Sequence, residues 1–352
     1  MIQPLSFFPV YDVAQGPRTK KLQFWLPLKH LFPDLIPSQH IIHRNVLVSA
    51  YYAMKAYRHN LREQLKMSND VKLFMDSGGY QLMTKHFYLI PSEVTELLRY
   101  QEENGADIAA TLDFPFRPNE TSLWEGWRRI EITLKYAKMA LEKHRSSSTK
   151  LYAVVPGWDY LSIKKSAEIL SRYEFDGFAM GAPEPSNFGM SSSTYLLKLG
   201  QMIFAIKSVI GDKPLHVFGI SNIPAIYVLS ALSVSSFDSL RYMHSAKFRE
   251  YILPNGLIAH VGKIQKGRRL SDLPCTCPIC INVKPDFLAK DGSIPGALLA
   301  LHNLMSLTNY VKMINSAMTH NWFDELLKHS MKTFPGIIPF FKWLSKKITI
   351  LR

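Results

Sequence analysis

From Asn45 onward the chain repeats one pattern: a short apolar run ends in a small or acidic residue, and a segment of helical spacing follows before the next run begins. Val71–Met75 ends at Asp76-Ser77-Gly78-Gly79-Tyr80-Gln81, Asp107–Leu112 at Asp113, and Leu151–Val155 at Pro156-Gly157-Trp158. Phe178–Met180 then ends at Gly181, Leu215–Phe218 at Gly219-Ile220-Ser221, and Val234–Phe237 at Asp238. The segments between them carry start and stop signals. Ser122 and Glu125 read as a capping box ahead of a periodic stretch to His144, Ser92 is placed to cap the helix running toward Gly105, and Gly211 with Pro214 ends the helix before Leu215. Strands buried on both faces and alternating with helices predict a parallel sheet. About eight such units close into a (β/α)8 TIM barrel, an α/β fold whose chemistry sits at the C-terminal ends of the strands. Asp76, Asp113, Gly157, Gly181, Gly219 and Asp238 all fall at those ends. An open doubly wound sheet is the alternative, and no G-x-G-x-x-G or G-x-x-x-x-G-K-[ST] loop supports it.

The two ends of the chain break the pattern. Residues 1–40 are proline-punctuated and aromatic, and are expected to close one end of the fold. Beyond Gly256 come the basic stretch Lys263–Arg269, the run Cys275-Thr276-Cys277-Pro278-Ile279-Cys280, and a helical segment over 295–318 with His302 near its start. Three thiolates and one imidazole are the tetrahedral set that zinc prefers, and four protein ligands leave no position for water, so the cluster predicts a structural zinc site. These are the only three cysteines of the chain and lie within six positions. A disulfide would leave one thiol over and close almost no loop. The expected organisation is one barrel domain over 1–352, with 263–318 as a zinc-binding insertion and its returning helix. The tail 322–352 reads as C-terminal helices ending in Phe340-Phe341-Lys342-Trp343-Leu344-Ser345-Lys346-Lys347, either an amphipathic closing helix or a contact to nucleic acid.

Charge narrows the partner. Lys and Arg number 42 against 28 Asp and Glu, a formal net charge of +14 over 352 residues. Such a balance suits a polyanion, nucleic acid or an anionic membrane surface. No run of eighteen uncharged apolar residues and no basic start before an apolar stretch appears, so neither a spanning helix nor a signal peptide is expected, and a reducing cytoplasm fits the thiols.

Five motifs in one order over 71–314 resemble those of the tRNA-guanine transglycosylase family: Asp76-Ser77-Gly78-Gly79-Tyr80-Gln81, Gly177-Phe178-Ala179-Met180-Gly181, Phe237-Asp238-Ser239, the cysteine triplet, and His302-Asn303-Leu304. The resemblance implies a zinc-bearing barrel that exchanges a guanine in nucleic acid for a 7-deazaguanine base through a covalent glycosyl-enzyme intermediate. By position it makes Asp238 the nucleophile and Asp76 the general acid/base. Asp113 and Gly177 would hold the base, with Ser77, Gly78, Tyr80, Gly157 and Met180 around it. Cys275, Cys277, Cys280 and His302 would hold the zinc. Exchanging a base on one face of a sugar requires two displacements, hence one carboxylate that attacks as an anion and another that handles the proton, in environments that push their pKa values apart. Tyr80 can stack on a flat base, and Ser77-Gly78-Gly79 lets backbone amides come close.

Departures from the family pattern bear on the substrate. Pro156-Gly157-Trp158 stands where tRNA enzymes have a glutamine before the glycine. Ala182 stands where bacterial members have a glutamate suited to an aminomethyl group, which favours a neutral nitrile-bearing base. Leu240–Lys247 replaces the proline-threonine-arginine segment that reads the anticodon loop, and no extra C-terminal RNA-binding domain of the archaeal kind is seen. The chain therefore looks most similar to the DNA-directed paralogues, the DpdA-like DNA-guanine transglycosylases of phage and genomic-island DNA modification. The expected substrate is DNA with 7-cyano-7-deazaguanine or a derivative; a divergent enzyme acting on tRNA is the alternative, and a non-catalytic zinc-stabilised nucleic-acid-binding subunit a third. A base inside a duplex must be flipped or freed by a helper protein. A homodimer is left open.

Overall fold

A computed structural model of the chain describes residues 22–27, 44–57, 59–65, 67–79, 91–116, 122–183, 192–260, 275–283, 285–288 and 290–350. Tyr80, Gln81 and Lys263–Arg269 lie outside the described residues. In chain order the elements are β1 (Gln23–Pro27), β2 (Asn45–Ser49), α1 (Ala50–Ala56), α2 (Leu61–Gln64), β3 (Lys72–Asp76), α3 (Pro91–Glu103), β4 (Ile108–Ala110) and α4 (Leu123–Lys143). There follow β5 (Lys150–Val154), α5 (Tyr160–Leu170), β6 (Gly177–Gly181), α6 (Ser192–Ile210), β7 (Leu215–Phe218), α7 (Ala225–Ala231), β8 (Ser236–Asp238) and α8 (Arg241–Lys247). The chain ends with β9 (Glu250–Ile252), β10 (Ile258–His260), α9 (Pro278–Asn282), α10 (Pro285–Leu288), α11 (Ser293–Thr319), α12 (Phe323–Thr333), a 3-10 turn at Pro335–Ile337 and α13 (Ile338–Ile350).

Strands β1 to β8 form a closed barrel, all pairs parallel, with β1 pairing both β2 and β8. The TIM-like barrel expected from the alternating pattern is the observed fold, and the open sheet is excluded by the closure. Within each strand, alternate residues face inward. Leu47, Phe74, Ala110, Tyr152, Val154 and Ala179 form a small cluster inside the barrel, with the Phe74 ring 4.6 Å from that of His216. Residues of the other parity, such as Val46, Leu73, Met180, Val217 and Phe237, join the larger core between barrel and helices.

Several expectations need correction. The strand closing the barrel, β1, lies in the segment whose pattern carried no strand signal: it holds Gln23 and ends in Pro27, a residue strands usually reject. Ser92 lies inside the first turn of α3, which begins at Pro91, so it is not the cap. The eighth strand runs over 236–238 rather than 234–237, which puts Asp238 within the strand instead of after it. Of the expected capping box only half forms: the Ser122 side chain accepts from Glu125 N at the start of α4, while the Glu125 carboxylate is taken by Arg129; Gly211 ends α6 with φ +57° as expected.

The tail resolves the two readings of the aromatic-basic segment. Phe340, Phe341 and Leu344 are buried, Phe340 lying over Gly200 so closely that a Cβ there would sit 2.2 Å from its ring. Trp343 meets Phe204 edge-on at 5.3 Å. This is a closing helix packed on α6. No helix among the described residues is long and apolar enough to cross a membrane.

Candidate active site and metal centre

Inward parity at the ends of β3 and β8 aims Asp76 and Asp238 into the mouth of the barrel, and Asp113 follows β4 by three residues. Asp238 is buried, and its Oδ1 accepts from Gly219 N at 3.0 Å and from His216 Nε2 at 3.3 Å. Nδ1 of the same imidazole lies 2.8 Å from Ser236 Oγ. Burial holds His216 below the usual histidine range, against the pull of Asp238, so the ring is neutral. The Asp238 carboxylate can only accept, so the neutral ring donates to it from Nε2 and accepts at Nδ1, where the Ser236 hydroxyl is the donor. With Oδ1 held in this way, Oδ2 is the oxygen left to react. Nothing in the sequence singled out His216 or Ser236; only the inward parity of β7 and β8 reveals them.

Asp76 ends β3 in a different setting. Burial raises its pKa to about 7; the Ser49 hydroxyl, its neighbour in register but outside hydrogen-bond geometry, opposes this, while the charges of Asp238 and Asp113 add to it and the Gly78 backbone again opposes. Its Oδ1 is buried and makes no hydrogen bond among the described residues. Asp113 is likewise pushed by burial to about 6, tempered by Ser77 Oγ at 3.4 Å. Ser77 also accepts from Gly79 N, and the backbone there lies so close that a Cβ on Gly79 would stand 2.1 Å from Asp113 O. Gly78 adopts φ +76° to make that approach. Gln101, buried behind the site, donates to Met75 O at 3.0 Å and Ala110 O at 3.2 Å and so ties the ends of β3 and β4 together.

A raised carboxylate pKa has a signed consequence. Between about pH 4 and 7 folded Asp76 keeps a proton that the unfolded chain has lost, so stability falls as pH rises through that window. At about 1.4 kcal/mol per unit, the upper limit is on the order of 4 kcal/mol. Asp76→Asn should therefore unfold at higher temperature than the wild type at pH 8, with the gap closing near pH 4. A gap independent of pH would show that Asp76 is ionised when buried.

Two expected base contacts, Gly177 and Met180, fall elsewhere. Gly177 opens β6 at the opposite end from the carboxylates, and its lack of a side chain makes room for the Tyr152 ring, 2.6 Å from where a Cβ would be. Met180 faces outward into the core. Gly157 does sit at a strand end, with φ +155°, but what demands glycine is the backbone of Ile163, 2.7 Å from a Cβ position. Position within a motif did not reveal where the strand begins, which sets Gly177 at the far end, or its parity, which turns Met180 outward.

The metal cluster forms where the start of α9 meets α11. His302 Nδ1 lies 3.3 Å from the sulfurs of Cys277 and Cys280 and 3.7 Å from that of Cys275. All four ligand atoms lie within 4.8 Å of one another. Bonds of about 2.3 Å to sulfur and about 2.05 Å to nitrogen at tetrahedral angles put nitrogen and sulfur ~3.6 Å apart, so the quartet fits a tetrahedral ion. His302 Nε2 donates to Ile252 O at 2.9 Å, which fixes the tautomer with its Nδ1 lone pair toward the thiols, and Tyr251 stacks on the ring at 3.7 Å. The adjacent Asn303 is fully buried; it accepts from Ile252 N and donates to Tyr242 O and Glu250 O, binding β9 and α8 to α11.

The family described as queuine tRNA-ribosyltransferase matches residues 28–336. The tRNA-guanine(15) transglycosylase of Methanococcus aeolicus is 27% identical over 347 residues, 96% of this chain and 50% of that protein. That of Methanocaldococcus jannaschii is 29% identical over 285 residues, 79% of this chain and 42% of its own length. The Archaeoglobus fulgidus protein of the same name is 25% identical over 299 residues, 83% and 59%. The chain thus spans about half the length of the curated relatives it matches.

Proposed function

The chain belongs to the queuine tRNA-ribosyltransferase family, and from that premise we propose that it is a pentosyltransferase which exchanges guanine in nucleic acid for a 7-deazaguanine base. One observation carries the chemistry: two buried carboxylates at the ends of β3 and β8, one raised to about 7 and the other held by His216 and Gly219. Asp238 Oδ2 attacks C1′ of the sugar as the bond from C1′ to the guanine nitrogen breaks, and that nitrogen takes the proton of Asp76. The incoming base gives its ring N–H proton to Asp76 as its nitrogen attacks C1′ and expels Asp238. Two inversions retain the configuration. A carboxyl group poised near pH 7 gives and takes that proton equally well. Ionised Asp113, braced by Ser77, accepts from the N–H edge of the base, and the orphaned Asp76 Oδ1 finds its donor there. Tyr80 is the proposed stacking partner.

The Cys275, Cys277, Cys280 and His302 set is proposed to hold zinc, with 263–318 as the insertion and returning helix that carry it. Four protein ligands fill the ion, so its contribution is to the fold.

For the nucleic acid we favour DNA, with 7-cyano-7-deazaguanine or a derivative entering; Ala182, not a glutamate, directly follows Gly181 at the end of β6. Support for DNA comes from the segment after Asp238. Its arginine, Arg241, is bound to Glu250 at 2.8 Å. The remaining basic residues there, His244 and Lys247, lack the planar fork of an arginine. The names of the archaeal relatives favour the second reading, a tRNA substrate. Because the +14 charge attracts any phosphate backbone, binding cannot separate the two and turnover must. Labelled guanine or 7-cyano-7-deazaguanine is expected to enter single-stranded or opened DNA and to enter unmodified tRNA negligibly, as read by nucleoside mass spectrometry. Incorporation into tRNA alone under matched salt would establish the second reading.

A further inference from the structure

The rim of the barrel beside Asp113 carries an aromatic surface that the exchange chemistry does not use. On the first turns of α4 and α5, Trp124 is 70% exposed, Trp127 43%, Leu123 64% and Leu161 75%. Behind them the Trp158 ring packs against Phe116 at 4.5 Å and meets Trp127 edge-on at 5.0 Å. Phe116 is three residues beyond Asp113, and Trp158 adjoins Gly157 at the end of β5, so the surface starts where the site ends. It is also rigid. A Cβ on Gly126 would stand 2.6 Å from the Phe116 ring and 3.1 Å from Trp158, which means α4 is seated directly on these rings.

Cations attend both exposed indoles: the Arg128 guanidinium lies 5.6 Å from the Trp124 ring and the Lys165 ammonium 5.7 Å from that of Trp127. The acids nearby are already engaged, Glu125 by Arg129 and Arg128, and Asp159 by Ser162. Flat faces flanked by positive charge, with no unengaged acid beside them among the described residues, match an unstacked base followed by its phosphate. A second copy of a chain carrying +14 would meet like charge here. We propose that the Trp124–Trp127–Trp158 surface is a stacking shelf for unpaired bases flanking the exchanged guanine, so that the protein takes single-stranded or locally opened nucleic acid. This rests on the base-exchange reading for the identity of the target, and on the aromatic geometry for the shelf itself.

The test compares wild type with the Trp124→Ala/Trp127→Ala double variant and the Trp124→Phe/Trp127→Phe control. Ligands are a guanine-containing single-stranded DNA, the matching RNA, the blunt duplex and heparin. Both indoles are exposed, so the variants should melt as the wild type does. The alanine variant is expected to bind single strands about ten to a hundredfold more weakly, with KM raised by a similar factor and kcat unchanged; the phenylalanine control should keep most of the affinity. Heparin, which has charge but no bases, should bind all three equally. The DNA and RNA arms show which strand the shelf prefers. Equal weakening toward heparin, unchanged strand affinity, or loss only of self-association in the alanine variant would each overturn the shelf. A wild type that exchanges no base yet loses strand affinity with the indoles would sink the exchange reading and keep the shelf.

Discussion

Asp238→Asn is expected to abolish base exchange, by about four orders of magnitude or more if it behaves as other lost nucleophiles do, while leaving the fold and strand binding in place. The amide oxygen of asparagine can still accept from Gly219 N and His216 Nε2, so the hydrogen bonds that hold the side chain persist. What goes is the second oxygen, replaced by an amide nitrogen with no lone pair to attack C1′. The wild type, quenched in acid during turnover, should show a protein mass increased by the sugar-bearing strand, and the variant none. Strand affinity should hardly change, because it rests on phosphate contacts and on the aromatic shelf rather than on the carboxylate. Substantial exchange by the variant would move the nucleophile to Asp76.

The second large effect concerns the cluster. Structural zinc contributes on the order of 10–16 kcal/mol of apparent binding energy in small modules. Cys277→Ala should therefore yield metal-poor, poorly soluble protein rather than a slow enzyme. Cys277 also caps α9, its sulfur accepting from Cys280 N, so its loss frees the helix that carries a second ligand. Without the ion, His302 would remain buried beside unneutralised thiols. Purified wild type should contain close to one zinc per chain by elemental analysis, and a metal-free, fully folded wild type would refute the assignment.

The barrel was legible because its strands are uninterrupted apolar runs closed by small or acidic residues, a signal in composition alone. β1 was not, because Gln23 and Pro27 obscure it and only pairing with Asn45–Ser49 and Ser236–Asp238 makes it a strand. The carboxylates and the metal quartet could be read from residue type and order. What surrounds them could not: His216 and Ser236 matter through inward parity, Gln101 through its reach across two strand ends, and Gly177 was misjudged because the Tyr152 ring that demands it is distant in sequence. The aromatic rim is likewise assembled from three separated segments.

The clasp between the chain's first strand and its long late helix has a bearing on how the protein is made. Leu22 N donates to Asn315 Oδ1 and Asn315 Nδ2 donates back to Leu22 O, across 293 positions of sequence. β1 also needs β8 as its second neighbour. At ribosomal speeds of about 5 to 20 residues per second, roughly 15 to 60 s separate the emergence of these partners. Until β8 has emerged, β1 to β7 can pair only as an open sheet, with the edge of β7 exposed to other nascent chains. Slower translation ahead of β8, or release before residue 238, should then send this protein into aggregates rather than into a smaller stable barrel.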